Sequence, residues 1–598
     1  MAPIEATRDL EDQRHYGAAL SGRPGMTIFA RRTLVLALNV VTVGALFGAM
    51  LSLFAPGGIT LGEAGMLVAF SLTLPWLSIG VWNSVLGFLL DRRYGERAAA
   101  HVTPALARIS GDEPITARVA VVMPLRNEDP DASIARLRRL EREIAHGPYA
   151  DRFSFHVLSD TDNAGIALKE EARIAQWRAE QPQARIHYRR RTENTGYKSG
   201  NIADFLHGPD GECDFFLPLD ADSEMGADTV LRLVRVMQAS PETGMLQSLV
   251  TGLPSRSFFT RAFQFGMRHG MRSYTLGSAW WQADCGPNWG HNVLIRTAPF
   301  RAHCMLPVLP GRGPLSGPIL SHDQVEAVLM RRAGYEVRVL AEESDSHEEN
   351  PPSLVDFIRR ELRWMNGNLQ YVRLLGMPGL KPVSRIQLVL AILMYVSAPA
   401  WMAFILTGAG LAAGAAQPGA VSLTAGVLLF VLLITLSLCP KLMGLAQVLT
   451  DNRRSAAYGG RGRVILGGFA EILMSMLVAP IVALSLTRFA IGLCVGQRIG
   501  WNAQQRSRDR LRWDDAAGAL WPQTLTGLAL VVWLGAVAPW ALVFAAPILV
   551  AMVGAIPIAV VSTMPALSRW SMARGLFDIP EDRQPTAPDA AAIRANSA

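Results

Sequence analysis

The sequence predicts an α-helical transmembrane bundle joined to a cytoplasmic α/β domain. Three features carry this reading: long uncharged apolar runs towards both ends, a polar middle, and strand-like runs alternating with helix-like ones inside that middle. Of 598 residues, 50% are apolar and 18% charged, against about 25% charged in ordinary soluble domains. A purely soluble, disordered or collagen-like chain is excluded. The net charge of +7 sits beside the apolar runs and forms no single tract, which suits an anionic lipid surface better than nucleic acid. Cys213, Cys285, Cys304, Cys439 and Cys494 form no CxxC or Cys/His cluster, so neither a disulfide framework nor a zinc site is expected. Residues 1–30 lack a short apolar core followed by a cleavage site and are expected to stay in the cytoplasm.

A crossing helix needs about 20 apolar residues, and a central Arg, Lys or Asp costs about 2.5–3.5 kcal/mol. Residues 33–62 and 64–90 are uncharged around Glu63, with "APGG" at 55–58 as the turn, which predicts a helical hairpin within 31–92. The run 386–440, broken by "QPG" at 417–419, predicts two more helices, and 516–568, with Pro539 and Pro547 near its middle, a further pair. Residues 464–497 contain Glu471, Pro480 and Arg488 and have basic loops at both ends. Equal ends require two passes or none. A short or re-entrant hairpin is the favoured expectation, giving eight segments in all and about six within 384–570; six segments plus an interfacial helix is the alternative. Arg31, Arg32, Arg92, Arg93, Lys381, Arg385, Lys441, Arg453, Arg454, Arg461 and Arg463 mark the cytoplasmic side. Residues 95–380 then form a cytoplasmic domain, and the Pro/Ala-rich 576–598 a disordered tail.

Within that domain "ARVAVVMPLRNED", "FSFHVLSDTDN" and "CDFFLPLDADSE" each run from apolar residues into carboxylates, with helix-like segments between. Alternating strands and helices imply a parallel sheet, whose ligands bind beyond the strands' C-terminal ends. Asp220 and Asp222 in "LDADS" are spaced to hold a hard divalent cation on a diphosphate; alone, such a pair is more often a solvated loop, but its strand-end position and Asp160 and Asp162 in "SDTDN" favour a site. No GxxxxGK[ST] or GxGxxG is present, so kinase-like or dinucleotide chemistry lacks its phosphate cradle.

The ordered set "MPLRNED", "SDTDN", "GYKSGN", "LDADS", "GHNVLIR", "SHDQVEA" and "RRELRWMNGN" resembles the membrane-embedded processive glycosyltransferases of family 2, the cellulose and hyaluronan synthase class. "SHDQVEA" and "RWMNGN", preceded by two helices, look like the glucans biosynthesis glucosyltransferase H family. The resemblance covers about 115–375 by motif and implies a glycosyltransferase A-type, Rossmann-like, mainly parallel mixed sheet. It implies that Asp160 contacts uridine, with Asp162 beside it; that Lys198 lies near the nucleotide; and that Asp220 and Asp222 hold Mg²⁺ or Mn²⁺. It also makes Asp323 the catalytic base, Arg363 a diphosphate ligand and Trp364 the acceptor floor. The glutamine of the related QxxRW motif is Arg360 here, which alters the expected acceptor contacts.

Inversion at a sugar needs one base and one electrophile, and no carboxylate nucleophile; Arg363 can fork onto phosphate oxygens or, alternatively, meet lipid headgroups. Ser321 or Asp323 can also serve as a helix N-cap. Trp280, Trp281 and Trp289 offer flat faces for sugar rings or serve as core filler, Trp289 being the favoured acceptor contact; His291 is expected as a hydrogen-bonded core histidine. The helix around "LVDFIRRELRW" is amphipathic, suited to the bilayer surface or to domain packing. The expected function is an inverting, processive glucosyltransferase of the bacterial inner membrane that extends a β-linked glucan from UDP-glucose and exports it. The resemblance implies a β-1,2 backbone for osmoregulated periplasmic glucans, with an acyl carrier protein and periplasmic glucan-processing proteins as partners. The alternatives are a single-addition lipid-phosphate glycosyltransferase and a transporter with a nucleotide-sensing domain.

Overall fold

The computed structural model describes residues 26–55, 58–412, 422–497 and 510–583. The expectations for 1–25, for the break at 417–419 and for the tail beyond 583 lie outside these residues.

Two apolar helices, α1 (Ile28–Phe54) and α2 (Leu61–Tyr94), form the predicted hairpin. Thr60 and Glu63 start α2 as a capping box, each side chain bonding the other's backbone N–H. This accounts for the one charge between the two apolar runs.

The domain that follows is built on a seven-stranded sheet in the order β3-β2-β1-β4-β8-β6-β9. Its strands are β1 (Val119–Leu125), β2 (Phe153–Ser159), β3 (Ile186–Arg190), β4 (Phe215–Pro218), β6 (Thr243–Ser248), β8 (Val293–Arg296) and β9 (Glu336–Leu340). All neighbours run parallel except β8, which is antiparallel to both β4 and β6. β1 is central, and its Val119 to Met123 are fully buried between helices on both faces, which is why that run shows no polar alternation. A three-stranded sheet, β5 (Ser223–Met225), β10 (Ser346–Glu348) and β7 (Thr251–Gly252), lies beside the strand ends in the order β5-β10-β7.

Helix α3 (Phe258–Gln282) carries the domain into the bundle and packs along α2. The polar Asn83 of α2 is satisfied there by the Trp281 indole N–H at 2.9 Å. Helices α4 (His322–Arg332) and α5 (Leu354–Leu369) close the domain. Helix α5 buries Leu354, Val355, Ile358 and Met365 against bundle helices, so its apolar face meets protein.

The bundle continues with α6 (Pro382–Leu411), α7 (Leu423–Leu449), α8 (Arg461–Cys494), α9 (Trp513–Val537) and the pair α10 (Ala541–Val553) and α11 (Ala555–Val561), bent by 59° at their junction. The expected hairpin at 464–497 is corrected: α8 is one unbroken helix running through Pro480. Its length and apolarity would let it cross a membrane, but its contacts run otherwise. Its first turns pack with Phe265 and Phe577, its middle with Phe259 and Ile358, and its last turns with Met365. Both ends therefore lie beside elements of the sheet domain, and α8 follows the seam between domain and bundle. Counting α8, six helices are long and apolar enough to cross a membrane, or seven with the bent α10–α11 pair, so eight segments are not formed among the described residues. Glu471 on α8 is buried and paired with Lys441 of α7, whose ammonium also reaches Ser475, so its charge is compensated inside the protein.

The disorder expected from 576 also needs correction for its first eight residues. Leu576, Phe577 and Ile579 are buried, while Asp578 and Asp582 pair with Arg261, and Glu581 with Arg268. The two arginines keep only 4% and 7% of their side chains exposed; Arg268 also pairs with Glu343 at 2.9 Å, so removing the strap leaves the buried charge of Arg261 uncompensated while Arg268 keeps one partner. Truncation after residue 575 is expected to destabilise the protein by about 3–5 kcal/mol, read as a lower thermal midpoint in detergent; an unchanged midpoint would show that this strap carries no load.

Candidate active site

A cavity of about 690 Å³ opens at the C-terminal ends of the strands and runs on between the bundle helices. Its domain side is lined by Asp160, Lys198, Asp220, Asp222, Asp323 and Arg363, and its bundle side by Trp76 and Asn83 of α2, Tyr274 and Ser278 of α3, and Met394 and Tyr395 of α6. The sheet ends and the helices thus share one space.

Asp160 follows β2 and is buried. Arg191 grips its carboxylate with two N–H groups at 2.8 and 2.7 Å, and Asn201 donates a third bond at 2.9 Å. A ligand at this point meets an arginine–aspartate pair. Asp162 is not brought into the cavity: its carboxylate accepts from the Asn127 side-chain amide at 2.6 Å and is 62% exposed. The strand has ended by then, so spacing alone does not aim it. Gly196, at φ 74°, caps the helix that presents Lys198 to the cavity, and Tyr197, at φ 54°, is its first residue. The Lys198 ammonium bonds the Asp220 carboxylate and the Gly290 carbonyl, the latter at 2.7 Å. Asp220 and Asp222 follow β4 immediately and both face the cavity.

Asp323 stands in the first turn of α4, against Gly290, whose φ of +83° disfavours any side chain and where an added Cβ would lie a tight 3.2 Å from the Asp323 Cβ. The Asn288 side chain donates to the Asp323 carbonyl at 3.2 Å. Ser321 makes no side-chain cap bond. Burial raises the Asp323 pKa above the ordinary carboxylate value; neighbouring His322 opposes this and Glu326 adds to it. The His322 ring is disfavoured as a cation by burial, but its contact with Glu326 at 2.9 Å prevails and raises its pKa.

Arg363 and Trp364 both line the cavity, and Trp364 remains 45% exposed, enough to offer a ring face. Arg360 also lines it, with its guanidinium 4.5 Å over the Trp364 ring and 5.2 Å over Phe357. The residue in the glutamine's position is thus stacked on the tryptophan. Trp281 and Trp289 reach the cavity, whereas Trp280 is buried under Arg31. His291 is hydrogen-bonded to Ser223 at 3.0 Å, as expected, but it also lies on the cavity wall. Sequence reasoning gave no role to Arg191, Asn201, Asn288 and Glu348; Asn201 closes the quoted "GYKSGN", whereas no motif singles out the other three.

Asp220, Asp222 and Glu348 bring hard oxygen donors to the cavity lining, the chemistry that Mg²⁺ or Mn²⁺ takes. Among the described residues, His156, His187 and Asp210 form a group whose donor atoms lie within 4.8 Å of one another, outside this cavity. Its two imidazoles stack face to face at 4.5 Å.

An A-type mixed sheet, a strand-end carboxylate pair and a helix bundle sharing one cavity define a membrane-integrated family 2 glycosyltransferase architecture. The family model described as "Glycosyl transferase family group 2" matches residues 215–437. A glucans biosynthesis glucosyltransferase H of Pseudomonas putida is 37% identical over 541 residues, covering 87% of this chain and 62% of that protein. Its counterpart from Caulobacter vibrioides is 33% identical over 591 residues, covering 94% of this chain and 87% of its own. The chain belongs to the glucans biosynthesis glucosyltransferase H family. It spans 62% of the length of the Pseudomonas relatives it matches. Among solved structures, a mannosyltransferase from Pyrobaculum calidifontis in complex with GDP-Man and Mn²⁺ is similar over 62% of this chain and 98% of its own, at 15% identity and a TM-score of 0.36.

Proposed function

We propose that the protein is an inverting, processive glucosyltransferase that takes UDP-glucose from the cytoplasm and extends a β-linked glucan. The family points to a β-1,2 backbone destined for osmoregulated periplasmic glucans, with export across the inner membrane and an acyl carrier protein and periplasmic processing proteins as partners. The observation that carries the reading is the shared cavity: strand-end carboxylates form one side and membrane helices the other. A polyhydroxylated chain cannot cross hydrocarbon unaided, and a glucan made here would already stand between helices.

In this reading Asp323 accepts the proton of the attacking hydroxyl. Arg363 meets the departing diphosphate, Lys198 stands beside it, and Trp364 supports the acceptor ring, oriented by the stacked Arg360. Asp220 and Asp222 hold Mg²⁺ or Mn²⁺, which when bound neutralises charge developing on the diphosphate. The Arg191–Asp160 pair forms the uridine end of the pocket.

Purified full-length protein given UDP-glucose is expected to release UDP and build an oligosaccharide whose linkage analysis shows the backbone. A single glucose on lipid, with no oligosaccharide, would favour lipid-phosphate transfer instead, and absence of UDP release would favour a transporter. The pH profile follows from Asp323. The base works only when deprotonated, and burial raises its pKa. Activity is therefore expected to fall on acidification through a pH above about 4, the ordinary carboxylate range. A kcat/KM profile flat down to that value would contradict the assignment.

A further inference from the structure

The motif carrying Asp220 and Asp222 is completed by a strand from elsewhere in the sequence. Antiparallel pairing of β5 with β10 sets Ser223 opposite Glu348, and the Glu349 N–H donates to the Asp222 carbonyl at 3.2 Å. The backbone register thus brings Glu348 against the second aspartate, across more than a hundred residues of chain, and all three carboxylates line the same cavity. Glu348 is also held from the side. The imidazole of His291 stands with Nε2 3.4 Å from Glu348 Oε2 and Nδ1 3.0 Å from the Ser223 hydroxyl. The Gln247 side chain in turn donates to the His291 carbonyl at 3.1 Å.

Such a carboxylate is ill placed for an anionic ligand. Glu348, Asp220 and Asp222 bring three carboxylates to the same cavity. A nucleoside diphosphate brought against these three groups would add more negative charge, and Lys198 already bonds Asp220. A divalent cation bound between them would reconcile that charge density with a diphosphate. A hard cation in a nucleotide site commonly takes one or two protein carboxylates together with phosphate oxygens and water.

We propose that Glu348 is a direct oxygen ligand of this cation alongside Asp222, with His291 as the positioning residue that fixes its carboxylate at the end of β10. The assignment rests on the proposed function, since it takes the cavity to be the site of a metal-bound sugar nucleotide. It enlarges the site from a local Asp-x-Asp motif to a two-strand platform. It also explains why His291 is oriented through both ring nitrogens, as residues supporting a metal ligand usually are.

The test is Mn²⁺ binding to the purified full chain at saturating UDP, followed by loss of the free-ion electron paramagnetic resonance signal, with UDP affinity measured separately without metal. Glu348→Gln is expected to weaken Mn²⁺ binding by about 10–100-fold and His291→Gln by about 10-fold, with metal-free UDP affinity unchanged. Glu348→Asp, which keeps the charge on a shorter arm, should recover part of the loss; this separates ligation from misfolding. Wild-type Mn²⁺ affinity in Glu348→Gln would overturn the assignment, and if sugar-nucleotide affinity fell at the same time, Glu348 would instead be a sugar contact. A wild-type protein that takes up no Mn²⁺ with UDP would overturn the functional reading and this ligand with it, a result distinct from a silent variant in a wild-type protein that binds.

Discussion

Replacing Asp323 by asparagine is expected to cut turnover by about 10²–10⁴-fold, the usual contribution of a positioned acid or base, while UDP-glucose binding survives. The substitution is nearly isosteric, and the backbone contact that holds the residue does not depend on its charge: its carbonyl accepts from Asn288. The groups that would face the nucleotide, Lys198 and Asp220, are paired with one another. The acceptor hydroxyl loses its base, but the donor site keeps its parts. Turnover and UDP-glucose affinity measured on one preparation decide the matter: retained turnover rejects Asp323 as the base, and loss of both would mean that Asp323 shapes the donor site instead.

A second large effect is expected where the domain enters the bundle. Helices α2 and α3 approach so closely that a Cβ on Gly87 would lie 1.6 Å from the Ser273 carbonyl oxygen, and one on Gly277 1.9 Å from the Asn83 carbonyl oxygen. Both obstacles are backbone, which cannot rotate aside. Gly87→Ala must therefore push the helices apart along their whole contact, disturbing the Trp281–Asn83 bond and the cavity wall. The expected cost exceeds about 4 kcal/mol, in the exceptional range for one substitution. It should appear as loss of monodisperse protein in detergent. Gly80→Ala, two turns away on α2, is the control: its Cβ would meet only Pro440, at 3.9 Å. Equal behaviour of the two variants would show that the crossing tolerates separation.

Much of this architecture was legible because the physics that sets it is local. Uncharged runs located α1, α2, α6 and α7, and apolar strands ending in carboxylates located β1, β2, β4 and Asp220 and Asp222 beyond them. The misjudged parts depend on partners distant in the chain. Charges within 464–497 suggested a break, but Glu471 finds Lys441 on another helix and Pro480 is accommodated without ending α8. The Pro/Ala-rich composition near the end masked Leu576, Phe577 and Ile579, whose burial and whose neighbours' pairing with Arg261 and Arg268 order 576–583. Asp160 and Asp162 look equivalent in "SDTDN", yet one is gripped by Arg191 and the other faces out. Glu348 carried no signal at all, because only strand pairing brings it to the site.

The course of α8 along the seam has a topological consequence. With α8 set aside, the remaining apolar helices pair off: α1 with α2, α6 with α7, and α9 with the bent α10–α11. Each pair leaves the sheet domain and returns to it. Arg32 at the start of α1 touches Asp284, and Asp578 near the far end of the described chain touches Arg261, so both extremities emerge on the face that carries the sheet. On the proposed function, a peptide tag fused at either extremity is expected to lie on the side where the sugar nucleotide is used, shielded from reagents confined to the opposite side.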